Sequence, residues 1–344
     1  MALSQIPEAE MLVVCDLIED RAKKVCEKYS IPKWTIDYHE VLSRSDVDAV
    51  MILTLCNAHR ELVPAAAEAG KHIFTQKPFA SSLKEGVEIY QSVKRAGVRL
   101  VTSFMHRYFP ECLKAKELMD KKAIGDVYMI RHRNAIRSTY EDAVSRIGAI
   151  YDIGTHGIDL IRHLTGQEIV KGSATINPYV QGTSPGKVPG DVSDTISLMN
   201  YELANGVLVS HEVVWIQKAG TKSFSSEIYG EEGSLFIRNP LSEKPLAFGS
   251  PLEKGQGARW SYPQLNIQRI ESQSKEIVDI GGGAIFTLSG GMVYHHQLFV
   301  QDIINNTYNS ASAKDGLVTL LVIEAAYESA RNEGKAVDVD LSLL

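Results

Sequence analysis

The segment MLVVCDLIEDRAKK, Met11 to Lys24, decides the fold. An apolar, β-rich run ends in the acid Asp16 and passes directly into a charged helical pattern. The second strand of a dinucleotide-binding α/β domain has this form, its terminal carboxylate placed to accept hydrogen bonds from the adenosine ribose hydroxyls. A strand-end acid standing alone reads equally well as a solvated side chain, so the neighbouring segments have to decide.

They alternate. Apolar runs recur at VDAVMILTL (47–55), HIFTQKP (72–78) and VRLVTSF (98–104), separated by the helical patterns DRAKKVCEKY, HEVLSRS, RELVPAAAEAG and LKEGVEIYQSVKRAG. Gly70 and Gly97 stand where helices should stop. Strand–helix alternation at this spacing implies crossover connections, hence an α/β fold whose residues 1–105 form a Rossmann-like, doubly wound parallel sheet. From about residue 126 the runs lengthen, as VYMIRHRNAI, SDTISLMNYELANGVLVSHEVVW and SSEIYGEEGSLFIRN, with turn signals ANG and EEG. Those mark antiparallel strands. With helices expected over 151–166 and 316–334, residues 106–344 read as an α+β domain on a large, open, mostly antiparallel sheet. Residues 240–290, rich in Gly, Pro and Ser, read as an irregular surface excursion.

Bulk properties agree with two domains, since 344 residues exceed the size at which one core usually stops growing. The composition is 44% hydrophobic and 23% charged, and no run approaches the roughly 18 apolar residues of a membrane span. The formal charge of -6 gives no electrostatic basis for nucleic-acid binding. The first residues lack the basic start and apolar stretch of a signal peptide, and the four cysteines form no C-x-x-C pair, so a cytoplasmic protein with reduced thiols is expected.

One part of the pattern is not met. A strand and a G-x-G-x-x-G phosphate loop should stand about 20 residues ahead of the ribose acid, and counting back from Asp16 passes Met1. The glycine clusters GGGAIF (281–286) and SGGMVY (289–294) do not follow a strand and open a helix in an alternating unit. On this reading ALSQIPEAE is the tail of the first helix, and the first strand and its loop are missing from the sequence, which either begins late or belongs to a protein without them. Weak NAD binding is the expectation, because the pyrophosphate then lacks its backbone donors and helix N-terminus.

Taken in order, FTQKPFA (74–80), MHRYFP (105–110), YDIGTHGIDLIRHL (151–164), EIYGEEGSLFI (227–237) and DGLVTLLVIEAAYESARNEG (315–334) make the chain resemble the glucose-fructose oxidoreductase, inositol dehydrogenase and rhizopine catabolism family, Gfo/Idh/MocA. The resemblance implies an NAD- or NADP-dependent oxidoreductase acting on a secondary hydroxyl of a small-molecule sugar or polyol. It also implies a homo-oligomer, dimer or tetramer, formed through the open sheet of the second domain.

The resemblance further implies site residues. Lys77 matches the family's active-site lysine, at the end of a parallel strand where ligands of open α/β sheets gather. The family usually has Glu where this chain has Gln76. Asp152 and His156, four apart, should share one helix face opposite the apolar Ile153, Gly157, Leu160, Ile161 and Leu164. Removing a hydride from a secondary alcohol also requires removing the hydroxyl proton, a task suited to histidine. His156 matches the family's candidate base, with Asp152 orienting it or binding a substrate hydroxyl. On the cofactor side Thr54, Leu55, Asn57 and His59 match positions near the riboses, although Asn57 and His59 read equally as turn and cap residues. Gln76 and Lys77 join them, and Arg107 either lines the nicotinamide or forms an interdomain salt bridge. The charge of Asp16 favours NAD over NADP by repelling a 2′-phosphate. Asp152, His156, Asp159 and His163, with His295 and His296, show no recognised zinc spacing, so no metal is expected. Two other readings stand beside the dehydrogenase: a non-catalytic sugar-binding or oligomer-forming homologue, and NAD-dependent glycoside cleavage or elimination through transient oxidation.

Overall fold

The computed structural model describes residues 3–136, 147–178, 194–216, 224–239, 264–270, 275–278 and 288–344. By spatial contact the chain divides into two compact units, the first of residues 1–105, 287–320 and 344, the second of 106–286 and 321–343. One boundary between the units falls after residue 105. Residues 287–320 nevertheless group with the first unit, because the helix they carry packs on its sheet.

In the first unit β1 (Val13–Cys15) and β2 (Lys33–Thr35) form a parallel pair, and β3 (Ala49–Ile52), β4 (His72–Thr75) and β5 (Leu100–Thr102) a parallel three-stranded sheet. Helices α1 (Glu19–Tyr29), α2 (Tyr38–Leu42), α3 (His59–Glu68) and α4 (Leu83–Ala96) follow β1 to β4 in turn. Gly97 ends α4 in the left-handed region at φ 67° and Gly70 follows α3 at φ 73°. Among the described residues no strand joins β1 to β3. Phe74 of β4 and Val101 of β5 pack against Phe299 of α7 (Leu288–Ile304). Gly290 and Gly291 of SGGMVY therefore lie in the first turn of a helix, carried by the apolar run behind them. GGGAIF lies outside the described residues.

Among the described residues the second unit is built on nine strands: β6 (Val127–Ala135), β7 (Ile169–Asn177), β8 (Ile196–Leu203), β9 (Leu208–Val214), β10 (Phe224–Gly230), β11 (Gly233–Asn239), β12 (Gln264–Arg269), β13 (Lys275–Ile277) and β14 (Val337–Asp338). Their order is β13-β12-β11-β10-β6-β9-β8-β7-β14, antiparallel throughout except for the parallel pair β6–β9. Strands β12 and β13 correct the expectation of an irregular excursion over 240–290. Leu265 and Ile267 bury alternate positions of β12, a period-2 signal of only two residues inside a Gly-, Pro- and Ser-rich stretch. One face of the sheet buries Ile130, Met199, Tyr201, Val209 and Val213. The other pairs Arg133 with Glu212 and Arg131 with Glu227, at 2.8 and 3.1 Å. Helices α5 (Pro110–Asp120) and α6 (Thr155–Thr165) belong to this unit, and α8 (Ala313–Arg331) passes from the first unit into the second. Among the described residues no helix is long and apolar enough to cross a membrane.

Candidate active site

In the first unit the candidate cofactor residues lie at the carboxyl ends of the parallel strands. Asp16 follows β1, and its backbone N–H continues the pairing to the Thr35 carbonyl at 3.3 Å. Its Oδ1 accepts the Ile18 N–H at 2.8 Å, which fixes the carboxylate at the strand end. Leu17 and Leu55 are 89% and 79% exposed, and Ile18, Thr54 and Asn57 are exposed as well. A strand-end carboxylate followed by the open side chains of Leu17 and Ile18 suits a ribose and a flat adenine ring. The sequence contains no G-x-G-x-x-G, so the residues present fit the nucleoside end of a dinucleotide and do not include the usual pyrophosphate cradle.

His59 has another place. It opens α3, is fully buried, and has Nδ1 3.1 Å from the Phe79 carbonyl, with the Thr75 hydroxyl 3.3 Å from Nε2. Burial pulls its pKa below the ordinary histidine value, against the opposing pull of nearby backbone carbonyls. Its contacts are those of a neutral brace under the loop that carries Lys77.

Lys77 follows β4 at a strand end laced on both sides. The Gln76 N–H donates to Ile52 of β3 at 3.3 Å, and the Ser103 N–H donates to the Thr75 carbonyl at 2.9 Å. Two residues on, the ring of Phe79 lies against Gly316 of α8, where an added Cβ would stand 2.5 Å from Phe79 Cγ and 2.9 Å from Thr102 Oγ1. His59 and Gly316 thus support the lysine loop from two sides.

In the second unit Asp152 and His156 lie at the start of α6, both buried. Residues Ile150–Gly154 form a π-helical turn rather than the regular α-helix assumed in placing the pair. Such turns change the phase of a helix and occur often at functional sites. The apolar-face expectation is also corrected: Thr155 to Arg162 are all buried, polar and apolar alike, and the helix start lies close against the sheet. Gly154 and Gly157 permit that approach. A Cβ on Gly154 would stand 3.2 Å from Val213 Cγ2, and one on Gly157 would meet Asn134 Oδ1 and lie 2.5 Å from His211 Nε2.

The His156 ring stacks on His106, with centroids 4.2 Å apart and planes at 16°, and His106 stacks in turn on Phe224 at 4.7 Å. Arg107 grips Asp159 through two hydrogen bonds, Nε to Oδ2 at 2.7 Å and Nη2 to Oδ1 at 2.5 Å, so the salt bridge it makes lies within the second unit. Under α6, Asn134 Oδ1 lies 3.1 Å from His132 Nε2 and 2.8 Å from His211 Nε2. His132 Nδ1 meets the Ser226 hydroxyl at 2.6 Å, and His211 Nδ1 the Tyr201 hydroxyl at 3.3 Å. The Asn134 oxygen accepts from Nε2–H of both neutral rings, the Ser226 hydroxyl faces Nδ1 of His132, and the Tyr201 hydroxyl donates to Met199 Sδ at 3.0 Å. Burial pushes His132 down to about 4 and His211 well below the usual histidine range, keeping both uncharged.

Sequence reading missed His106, His132, Asn134 and His211. The last three carried a signal: they occupy inward positions of β6 and β9, in alternation with Ile130, Val209 and Val213, where apolar residues are the rule. Among the described residues no group of three His, Cys, Asp or Glu is arranged to hold a metal ion.

A parallel α/β unit with its polar residues at the strand ends, and a second unit that offers a buried Asp–His helix from an open sheet, define a two-part nucleotide-dependent oxidoreductase. Residues 2–104 match the model of the oxidoreductase family with an NAD-binding Rossmann fold, and residues 112–236 match the GFO/IDH/MocA C-terminal domain. Scyllo-inositol 2-dehydrogenase (NAD(+)) of Bacillus subtilis is 31% identical over 241 residues, 68% of this chain and 68% of that protein. Levoglucosan dehydrogenase of Pseudarthrobacter phenanthrenivorans is 26% identical over 361 aligned positions, 93% and 87% of the two chains. Among solved structures, a probable dehydrogenase from Thermotoga maritima superposes with a TM-score of 0.78 at 24% identity, covering 100% of this chain and 95% of that one, a likeness of fold. The chain belongs to the Gfo/Idh/MocA family of oxidoreductases.

Proposed function

We propose that this chain is an NAD-dependent dehydrogenase of a secondary hydroxyl on a sugar or polyol, with Lys77, Asp152 and His156 serving the reacting hydroxyl. The observation that carries the reading is the placement of Lys77, a cation held at the carboxyl end of a central parallel strand by pairing on both sides. The names of the relatives, an inositol and a levoglucosan dehydrogenase, supply the substrate class.

NAD, when bound, supplies the hydride acceptor. The Lys77 ammonium donates a hydrogen bond to the reacting oxygen and favours its alkoxide character. His156 takes the hydroxyl proton as the hydride leaves carbon, and Asp152 orients His156 or holds a neighbouring hydroxyl. Asp16, Thr54, Leu55, Asn57 and Gln76 receive the cofactor, and the charge of Asp16 selects NAD over NADP by repelling a 2′-phosphate. His59 and Arg107 act from behind, through Phe79 and Asp159.

The reading is tested by following NADH absorbance across a panel of inositols and anhydrosugars, with NAD titrated against the protein by calorimetry. NADH formation on at least one polyol is expected. Sugar binding without NADH formation would instead select the non-catalytic reading, and a cleaved product without net NADH the transient-oxidation reading. A homo-oligomer through the open sheet face is part of the proposal, supported by the exposed pair Met129 and Leu208, directly opposite each other on β6 and β9. Light scattering of Leu208→Glu should show the smaller species.

A further inference from the structure

The turn that carries Asp152 is held by a residue far away in sequence. Asp194, fully buried ahead of β8, accepts the Ile150 N–H on Oδ2 at 2.9 Å, and its backbone carbonyl accepts the Ala149 N–H at 3.3 Å. One residue thus satisfies two of the N–H groups that a helix start leaves without an intrahelical acceptor. Its Oδ1 accepts the hydroxyl of Tyr327 on α8 at 2.5 Å, and the Ser197 hydroxyl donates to Oδ2 at 3.3 Å. Tyr327 acts a second time: its ring stacks on Tyr151 at 6.0 Å with planes at 27°. The two residues immediately before Asp152 are therefore fixed, one by its backbone and one by its ring, through the same pair.

We infer that Asp194 and Tyr327 are positioning residues for the reaction, setting the start of the helix from which Asp152 and His156 project. The inference rests on the dehydrogenase reading for its effect on turnover. A π-turn closes wider hydrogen-bonded rings than an α-helix and so shifts the phase of the helix that follows it. A buried carboxylate at its first N–H groups holds the phase that aims Asp152 and, six residues after Ile150, His156. Small displacements of such groups are costly, since about 1 Å of misplacement can lower a rate about 100-fold.

Three variants test it. Asp194→Ala removes the cap, Asp194→Asn keeps an acceptor for the Ile150 N–H, and Tyr327→Phe keeps the ring on Tyr151 while removing only the hydroxyl. The measurements are kcat, KM for polyol and for NAD, melting temperature, and hydrogen exchange over residues 149–156. Asp194→Ala should lower kcat about 100-fold and Tyr327→Phe about tenfold. Asp194→Asn should recover to within a few-fold of wild type, with KM for NAD unchanged throughout. Exchange over 149–156 should rise in Tyr327→Phe without a matching fall in melting temperature, and this variant decides the matter if Asp194→Ala does not fold. Wild-type kcat and wild-type exchange in Tyr327→Phe would overturn the inference. If wild type turns over no polyol, the dehydrogenase reading fails, and exchange in Tyr327→Phe still decides the positioning role: unchanged, it fails too.

Discussion

The two units present their polar groups in opposite ways. In the first, Asp16, Thr54, Leu55, Asn57 and Lys77 stand at the ends of strands of three or four residues, open or partly open to solvent. In the second, Asp152 and His156 are buried at a helix start, on a sheet whose strands reach nine residues and whose inner face holds a polar network of its own. A group that must receive a large, exchangeable ligand is served by strand ends and loops. On the proposed reading, the group that holds a proton at one point is served instead by a buried, closely packed frame.

The largest effect that sharpens this contrast is on turnover. With NAD and polyol saturating, His156→Ala and Lys77→Ala should each lower kcat by about 10²- to 10⁴-fold. Calorimetric titration should find NAD affinity nearly unchanged, and a near-normal rate in either variant removes that residue from the mechanism.

Next in size is the response of one glycine from each unit to an added methyl. Gly157→Ala drives a Cβ into Asn134 and His211, groups fixed by mutual hydrogen bonds, and should destabilise by about 1–3 kcal/mol. Gly70→Ala meets nothing within 4 Å but must hold φ 73°, which costs about 1 kcal/mol. Urea unfolding gives both values, and the reverse order would break the claim that the second unit is the tightly framed one.

A third effect separates the units by pH. His132 and His211 are held neutral, their folded pKa values below the unfolded value of about 6.5. Their contribution is complete above that value, and each removes up to about 1.4 kcal/mol per pH unit as pH falls from there toward the folded pKa, about 4 for His132. In the first unit, burial alone would raise Asp302, but hydrogen bonds from Asn309, Thr307 and Ser310 hold it below the ordinary carboxylate value. Its contribution is complete above about pH 3.9 and is lost only below it. Melting curves between pH 7 and 4 should therefore fall less steeply in Asn134→Leu/His132→Leu/His211→Phe than in wild type, and be unaltered in slope by Asp302→Asn. The smallest effect is in amide exchange: β1 and β2, two strands of three residues, should exchange faster than β6 and β9.

Much of this arrangement was legible beforehand, and the reasons differ by element. Four of the five parallel strands announce themselves by apolar runs, whereas β2 is three residues, KWT, too short for a period. The hairpins β8–β9 and β10–β11 follow from ANG and EEG. Helix α7 was obscured by the pair Gly290–Gly291, and β12 by its surroundings. Lys77 could be placed at a strand end from FTQKP alone. The π-turn could not, because one extra residue per turn leaves no mark in a pattern read at i and i+4. Asp194 was invisible for a simpler reason: it acts on Ile150 from 44 positions away, and only the folded sheet brings them together.

The parallel pairing of β6 with β9 has a consequence for how the chain assembles. His211 meets Tyr201 across a hairpin, 10 positions away, but meets Asn134 across the β6–β9 seam, 77 positions away. The hairpin can close early and alone, while the seam must wait for a long loop to be gathered. The polar network that seats α6 is complete only when that seam has closed, so the frame for His156 should be among the last features to form. Substitutions at Asn134 are accordingly expected to speed unfolding more than they slow folding, a partition that stopped-flow kinetics reads directly.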